Sequence, residues 1–78
     1  MPTLLIWHGY AFRFYASDAP EPPHVHVVKN GRSAKVWLRS MELAYRHGYS
    51  AKETAEFLDK IAEHRADWME KWDDFFGI

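Results

Sequence analysis

HVHVVKNGRSAKVWLR, residues 24–39, decides the fold. Two alternating runs flank Asn30-Gly31, a strong hairpin signal because both loop residues tolerate positive φ. With Asn30 and Gly31 as the loop, Lys29 faces Arg32, Val25 faces Val36 and Val27 faces Ala34. That face is apolar and belongs to the core. The opposite face pairs His24 with Trp37, His26 with Lys35 and Val28 with Ser33, and Arg39 follows just beyond. A slip of one residue would bury imidazole and ammonium together, so the alternation itself selects this register.

Upstream, TLLIWH is a short apolar run, and AFRFYAS alternates Phe12 and Phe14 against Arg13 and Tyr15. Period two with aromatic enrichment predicts strands at about 3–8 and 11–17, turning at Gly9-Tyr10. SDAPEPP then forms a stiff, extended crossing, since proline fixes φ and lacks a donor. Asp18 is placed to hydrogen-bond nearby backbone and start that turn.

Downstream of strands at about 24–29 and 32–39, Ser40 is read as capping a short helix, MELAYRH (about 41–47), which Gly48 ends. Ser50 and Glu53 form an S-x-x-E capping box that opens a long helix over about 51–75. Its expected apolar stripe runs through Ala51, Ala55, Leu58, Ile61, Ala62, Trp68, Met69, Trp72, Phe75 and Phe76. Such a helix is about 37 Å long, as long as a globule of this size is wide, so its Trp-rich end is expected to overhang the sheet. The expected fold is α+β: a small, mainly antiparallel sheet of three to four strands, then a short helix and a long C-terminal helix packed on one sheet face.

At 78 residues the chain is read as a single domain, 1–78, with a thin core. Cysteine is absent, so packing must supply the stability, and thirteen aromatic residues make that feasible. The lack of cysteine fits a reducing compartment. MPTLLIWHGYAFRF has no basic leader and soon meets Gly9 and Arg13, so neither a signal peptide nor a membrane span is expected. A cytoplasmic location follows as an expectation. The charge is split: residues 1–49 hold six Lys/Arg against three acids, and residues 50–78 hold four against eight. A basic sheet lying on an acidic helix accounts for this simply; two faces with different partners is the other reading.

The polar face of the hairpin offers three kinds of chemistry. His24 or His26 as general base, with Lys35 holding a phosphate oxygen, would suffice for metal-independent cleavage of RNA. The Lys35 charge is expected to lower the pKa of His26. H-x-H is also half of a metal site, but Asp18 is the only nearby carboxylate and Lys35 would repel a cation, so no metal and no cofactor is expected. Binding without chemistry is the third: Tyr15 and Trp37 offer stacking surfaces, and Arg13, Lys35 and Arg39 offer phosphate contacts, around His24 and His26. The plainer alternative is that His24 and Trp37 only cover each other under the helix. His8 near a turn, His47 at a helix end and solvated His64 need no special role. Trp68, Met69, Trp72, Phe75 and Phe76 are core if covered and a protein-partner site if they overhang.

GYAFRFYASDAPEPPHVHV, AKVWL, ELAYRHGYS and AEHRADWMEKWDDFF together resemble the small bacterial family catalogued as domain of unknown function 4160. The resemblance runs from about Pro2 to Phe76, and Asp18 with Pro22-Pro23-His24-Val25-His26 is its most specific part. It implies a component of a toxin–antitoxin-like two-gene module, with a small cognate protein partner and nucleic acid as the eventual target. It implies no catalytic residue. Binding is therefore preferred to catalysis; a ribonuclease toxin and a non-catalytic dimeric adaptor are the alternatives. No membrane partner is expected.

Overall fold

The computed structural model describes residues 3–77, so Met1, Pro2 and Ile78 of the expected 1–78 domain lie outside the described residues. Among the described residues, five strands form one antiparallel sheet in chain order: β1 (Thr3–Trp7), β2 (Tyr10–Arg13), β3 (His24–Lys29), β4 (Arg32–Trp37) and β5 (Leu43–His47). A single long helix, α1 (Ala51–Phe76), follows. The α+β class is as expected, but the sheet has five strands rather than three or four.

The central hairpin has the register that its alternation dictates, from His24 opposite Trp37 to Lys29 opposite Arg32. Asn30 and Gly31 have φ of 48° and 76°, the doubly left-handed loop expected of a type I′ turn. In β1–β2 Trp7 faces Tyr10, which puts the turn at His8-Gly9, one residue earlier than expected. Both residues have positive φ, 51° and 82°, whereas Tyr10 is needed in the core and is only 2% exposed.

The largest correction concerns residues 41–47, which form no helix. Leu43–His47 is the edge strand β5, paired to β4 with Ser33 opposite His47 and Lys35 opposite Tyr45. An isolated seven-residue helix is marginal in water, whereas pairing satisfies the free edge of β4. Ser40 caps no helix: its Oγ accepts the Glu42 amide at 3.3 Å inside the turn. Met41 sits at φ 64°, and the turn closes through Trp37 N–H to Glu42 O and Met41 N–H to Trp37 O, at 2.9 and 2.8 Å.

The helix starts where the capping box places it. Ser50 Oγ accepts the Glu53 amide at 3.1 Å, and Glu53 Oε1 accepts the Ser50 amide at 2.9 Å. Its buried stripe is Thr54, Phe57, Ile61, Trp68 and Trp72. Phe57 takes the place expected of the alanines, and Ala51, Ala55 and Ala62 face solvent. Trp68 and Trp72 are each 1% exposed, so they seal the sheet rather than overhang it. Trp68 packs on Phe12 at 5.3 Å and Trp72 on Phe14 at 5.0 Å between ring centroids. His64 is half-buried and stacked on Trp68 at 5.0 Å.

Two polar locks tie the layers together. Arg65, a surface charge by pattern, reaches across to donate to the carbonyls of Leu38 and Arg39 in the β4–β5 turn. Tyr49, buried between sheet and helix, donates its hydroxyl toward Val27 O and Arg32 O at 3.0 and 3.2 Å. Burial pushes that phenol up to about 12.

Candidate functional site

The helix packs on the apolar face of the sheet, and its Trp72 also reaches His24 at the start of β3. On the other face, the ten-residue connection between β2 and β3 folds back over the hairpin. It contains a 3₁₀ turn, Ala16–Asp18, and the proline run that brings the chain back to His24. Within it Asp18 reaches backward, its Oδ2 accepting the Tyr15 amide at 2.8 Å. This buries the carboxylate against β3, where Oδ1 lies 3.2 Å from His24 Nε2 and 3.2 Å from His26 Nε2. Asp18 is the residue that sequence reasoning left out of the site. Its signal was the carboxylate six residues before H-x-H, but only the fold of the loop turns that spacing into contact.

The outer nitrogens of both rings have partners. His24 Nδ1 lies 2.9 Å from Pro22 O; a carbonyl only accepts, so this nitrogen carries a proton. His26 Nδ1 lies 3.5 Å from the Tyr45 hydroxyl. His24 Nε2 differs: it is buried and has no hydrogen-bond partner among the described residues. It is close to Asp18 Oδ1 but off the line of a hydrogen bond.

Burial by itself would raise the Asp18 carboxyl, but the Tyr15 amide and the two imidazoles outweigh it and hold the pKa below the ordinary aspartate value. His26 is lowered, as expected, chiefly by desolvation, with Asp18 opposing and Lys35 the smallest contributor. Lys35 is not a free cation. Its Nζ lies 2.7 and 2.9 Å from the two Glu21 carboxylate oxygens and 4.6 Å from the centre of the Trp37 ring.

Of the residues expected on one face, the structure gathers His24, His26, Lys35, Trp37 and Tyr15. The ring of His26 is 5.0 Å from His24 and 4.5 Å from Tyr15, and His24 is 5.4 Å from Trp37. Arg13 is paired with His26 across β2–β3, and its Nε is buried with no hydrogen-bond partner among the described residues. Arg39 is exposed, beyond the end of β4. His24 is fully enclosed, also touching Trp72 at 5.0 Å, so it is out of reach of a strand lying on the face. Tyr45, not singled out by sequence, and His47, expected at a helix end without a special role, are exposed on strand β5 with ring centroids 5.1 Å apart.

The expected partner patch is split in the same way. Trp68 and Trp72 are core, Met69 and Phe76 are half-buried, and Phe75 remains 42% exposed. Phe75 borders a groove of ≈ 290 Å³ with Leu4, Phe14, Lys71 and Asp74. Among the described residues no helix is long and apolar enough to cross a membrane. Comparison with curated proteins and with solved structures gives no match. Residues 9–73 match the family described as Domain of unknown function (DUF4160), which spans both sheet faces, the shared carboxylate and nearly all of α1; the chain belongs to that family.

Proposed function

We propose that this protein is a binding component of a toxin–antitoxin-like module, engaging single-stranded nucleic acid on the open sheet face. The observation that carries this reading is the exposed polar face of β4 and β5, which α1 leaves uncovered. Aromatic and basic side chains from neighbouring strands are left together there, a mixture suited to stacking on bases and contacting phosphates. The contact set is Arg13, Tyr15, Trp37, Arg39, Tyr45 and His47, with Lys35 released from Glu21 on binding. His24 has no part in it. The cognate protein takes the C-terminal end of α1, where Phe75 and the apolar groove beside it are accessible.

Fluorescence anisotropy with short RNA and DNA strands tests the nucleic-acid half. With about three phosphate contacts, affinity falls roughly ten- to twenty-fold between about 50 and about 200 mM salt. Lys35→Ala/Arg39→Ala reduces both affinity and salt slope. Binding that ignores salt, or that is unaltered in the double variant, rejects the reading.

A second reading, a metal-independent ribonuclease, is favoured by the Asp18–His26 contact. With Nε2–H donated to Asp18, His26 presents Nδ1 as a base toward Tyr45 and the open face. RNA cleavage by chelator-treated protein, abolished in His26→Gln, supports it; the absence of cleavage removes it.

A further inference from the structure

We propose that Asp18, His24 and His26 form a binding site for one divalent transition-metal ion of the zinc class, through Asp18 Oδ1 and the Nε2 atoms of both histidines. One ligand atom from each of the three residues lies within 4.8 Å of the other two. Each Nε2 is 3.2 Å from Oδ1. Ligands about 2.0 Å from a tetrahedral ion are separated by about 3.3 Å, so the spacing already matches an edge of that polyhedron.

The buried state of His24 is the observation that separates this site from a simple ion pair. Its Nδ1 proton is committed to Pro22 O. In the neutral ring, Nε2 is then a bare lone pair, fully enclosed and close to a carboxylate oxygen that is itself rich in electrons. Two acceptors facing each other repel, unless something electron-poor sits between them. A hydrogen bond from Nε2 to Oδ1 would answer this, but that bond is not made. Oδ1 accepts from His26 Nε2 instead, and an ion bound by all three atoms would replace that proton and occupy the His24 lone pair.

The outer bonds agree. A metal-bound histidine commonly passes its other N–H to a carbonyl or another oxygen, which fixes ring and tautomer. Pro22 O serves His24, Tyr45 Oη serves His26, and the Tyr15 amide holds the second oxygen of Asp18. All three ligands are thus oriented by groups outside the cluster. Two imidazoles and one carboxylate select a borderline ion over Mg²⁺ or Ca²⁺, which take oxygen ligands. Lys35 does not oppose a cation here, because Glu21 matches its charge. Glu21 Oε1 is also 3.8 Å from His24 Nε2, and its side chain is 46% exposed, which marks the solvent side of the cluster. Three protein ligands leave the fourth position of a tetrahedral ion for water or an incoming ligand.

This proposal stands apart from the nucleic-acid reading, and the two fail separately. Its test is calorimetric titration of tag-free, chelator-stripped full chain with Zn²⁺, and competition against a chromogenic chelator. Saturation at one ion per chain is expected, with a raised thermal midpoint. Asp18→Asn and His26→Gln weaken binding by about 100-fold or more, beyond the roughly 10–100-fold typical of losing an outer partner. His8→Ala leaves it unchanged. Because His24→Ala empties a fully enclosed position, the first two variants carry the test, with circular dichroism confirming their folds. Co²⁺ supplies a second readout: it quenches tryptophan fluorescence, since the His24 ring lies 5.0 Å from Trp72 and 5.4 Å from Trp37, and Zn²⁺ reverses the quench. Absence of saturable binding, equal binding in Asp18→Asn and His26→Gln, or equal competition by Mg²⁺ overturns the proposal.

Discussion

The two faces of the sheet are built from the same strands by the same alternation, yet they are stabilised differently. On the covered face Phe12, Val25, Val27, Ala34 and Val36 are solvent-free and need only volume to match α1. On the open face His24 is just as buried, but each polar atom there needs a partner, and those partners come from a ten-residue loop and from Tyr45 on β5. Apolar packing tolerates many neighbours; a buried imidazole tolerates few. The covered face therefore carries most of the stability, and the open face carries the chemistry.

The comparison is broken most severely from the covered side. Trp68→Ala, which empties the space against Phe12, is expected to cost about 3–5 kcal/mol in urea unfolding; a cost below about 1 kcal/mol would show that α1 is not what seals the sheet. Asp18→Asn is the matching change on the open face. It keeps the shape, removes the charge between two imidazoles and is expected to cost the metal-free protein about 1–3 kcal/mol. An unchanged midpoint would mean that the carboxylate does not organise the loop. Tyr49→Phe sharpens the contrast, because it deletes a polar group on the apolar side: about 1 kcal/mol is expected, read by the same unfolding curves.

The smallest effect is acid sensitivity. His26 has a lowered folded pKa, so the unfolded chain takes up its proton first as pH falls. Its contribution is fully present above the unfolded value of about 6.5 and is lost as pH drops through the lower folded value. Asp18, also lowered, adds a second loss below the ordinary aspartate range. Stability curves at stepped pH should show the near-neutral decline in the wild type and a smaller one in His26→Gln. A rise in stability from pH 7 to 5.5 would reverse the sign assigned here.

The hairpin register and the start of α1 were legible because each rests on residues adjacent in the chain: Asn30-Gly31 between alternating runs, and Ser50 with Glu53. The strand β5 was not, since Met41 takes a left-handed conformation that its side chain does not advertise and LAYRH is too short to show a clear period. The rotation of α1 was blurred by alanines, which are at home on either face, while Phe57 needed burial. The pairing of His24 and His26 on β3 could be read from their spacing. Asp18 joining them could not, because a loop backbone containing prolines decides where that carboxylate lands.

Sheet order that follows chain order also bears on how the protein is made. Every strand closes on the one just synthesised, so residues 3–47 can assemble through short loops, the kind of topology that folds quickly. At about 5–20 residues per second, the 26 residues of α1 take roughly one to five seconds more to emerge. For that interval Tyr10, Phe12 and Phe14 lack the helix that buries them, and the aromatic side of the strands is open to whatever meets the nascent chain.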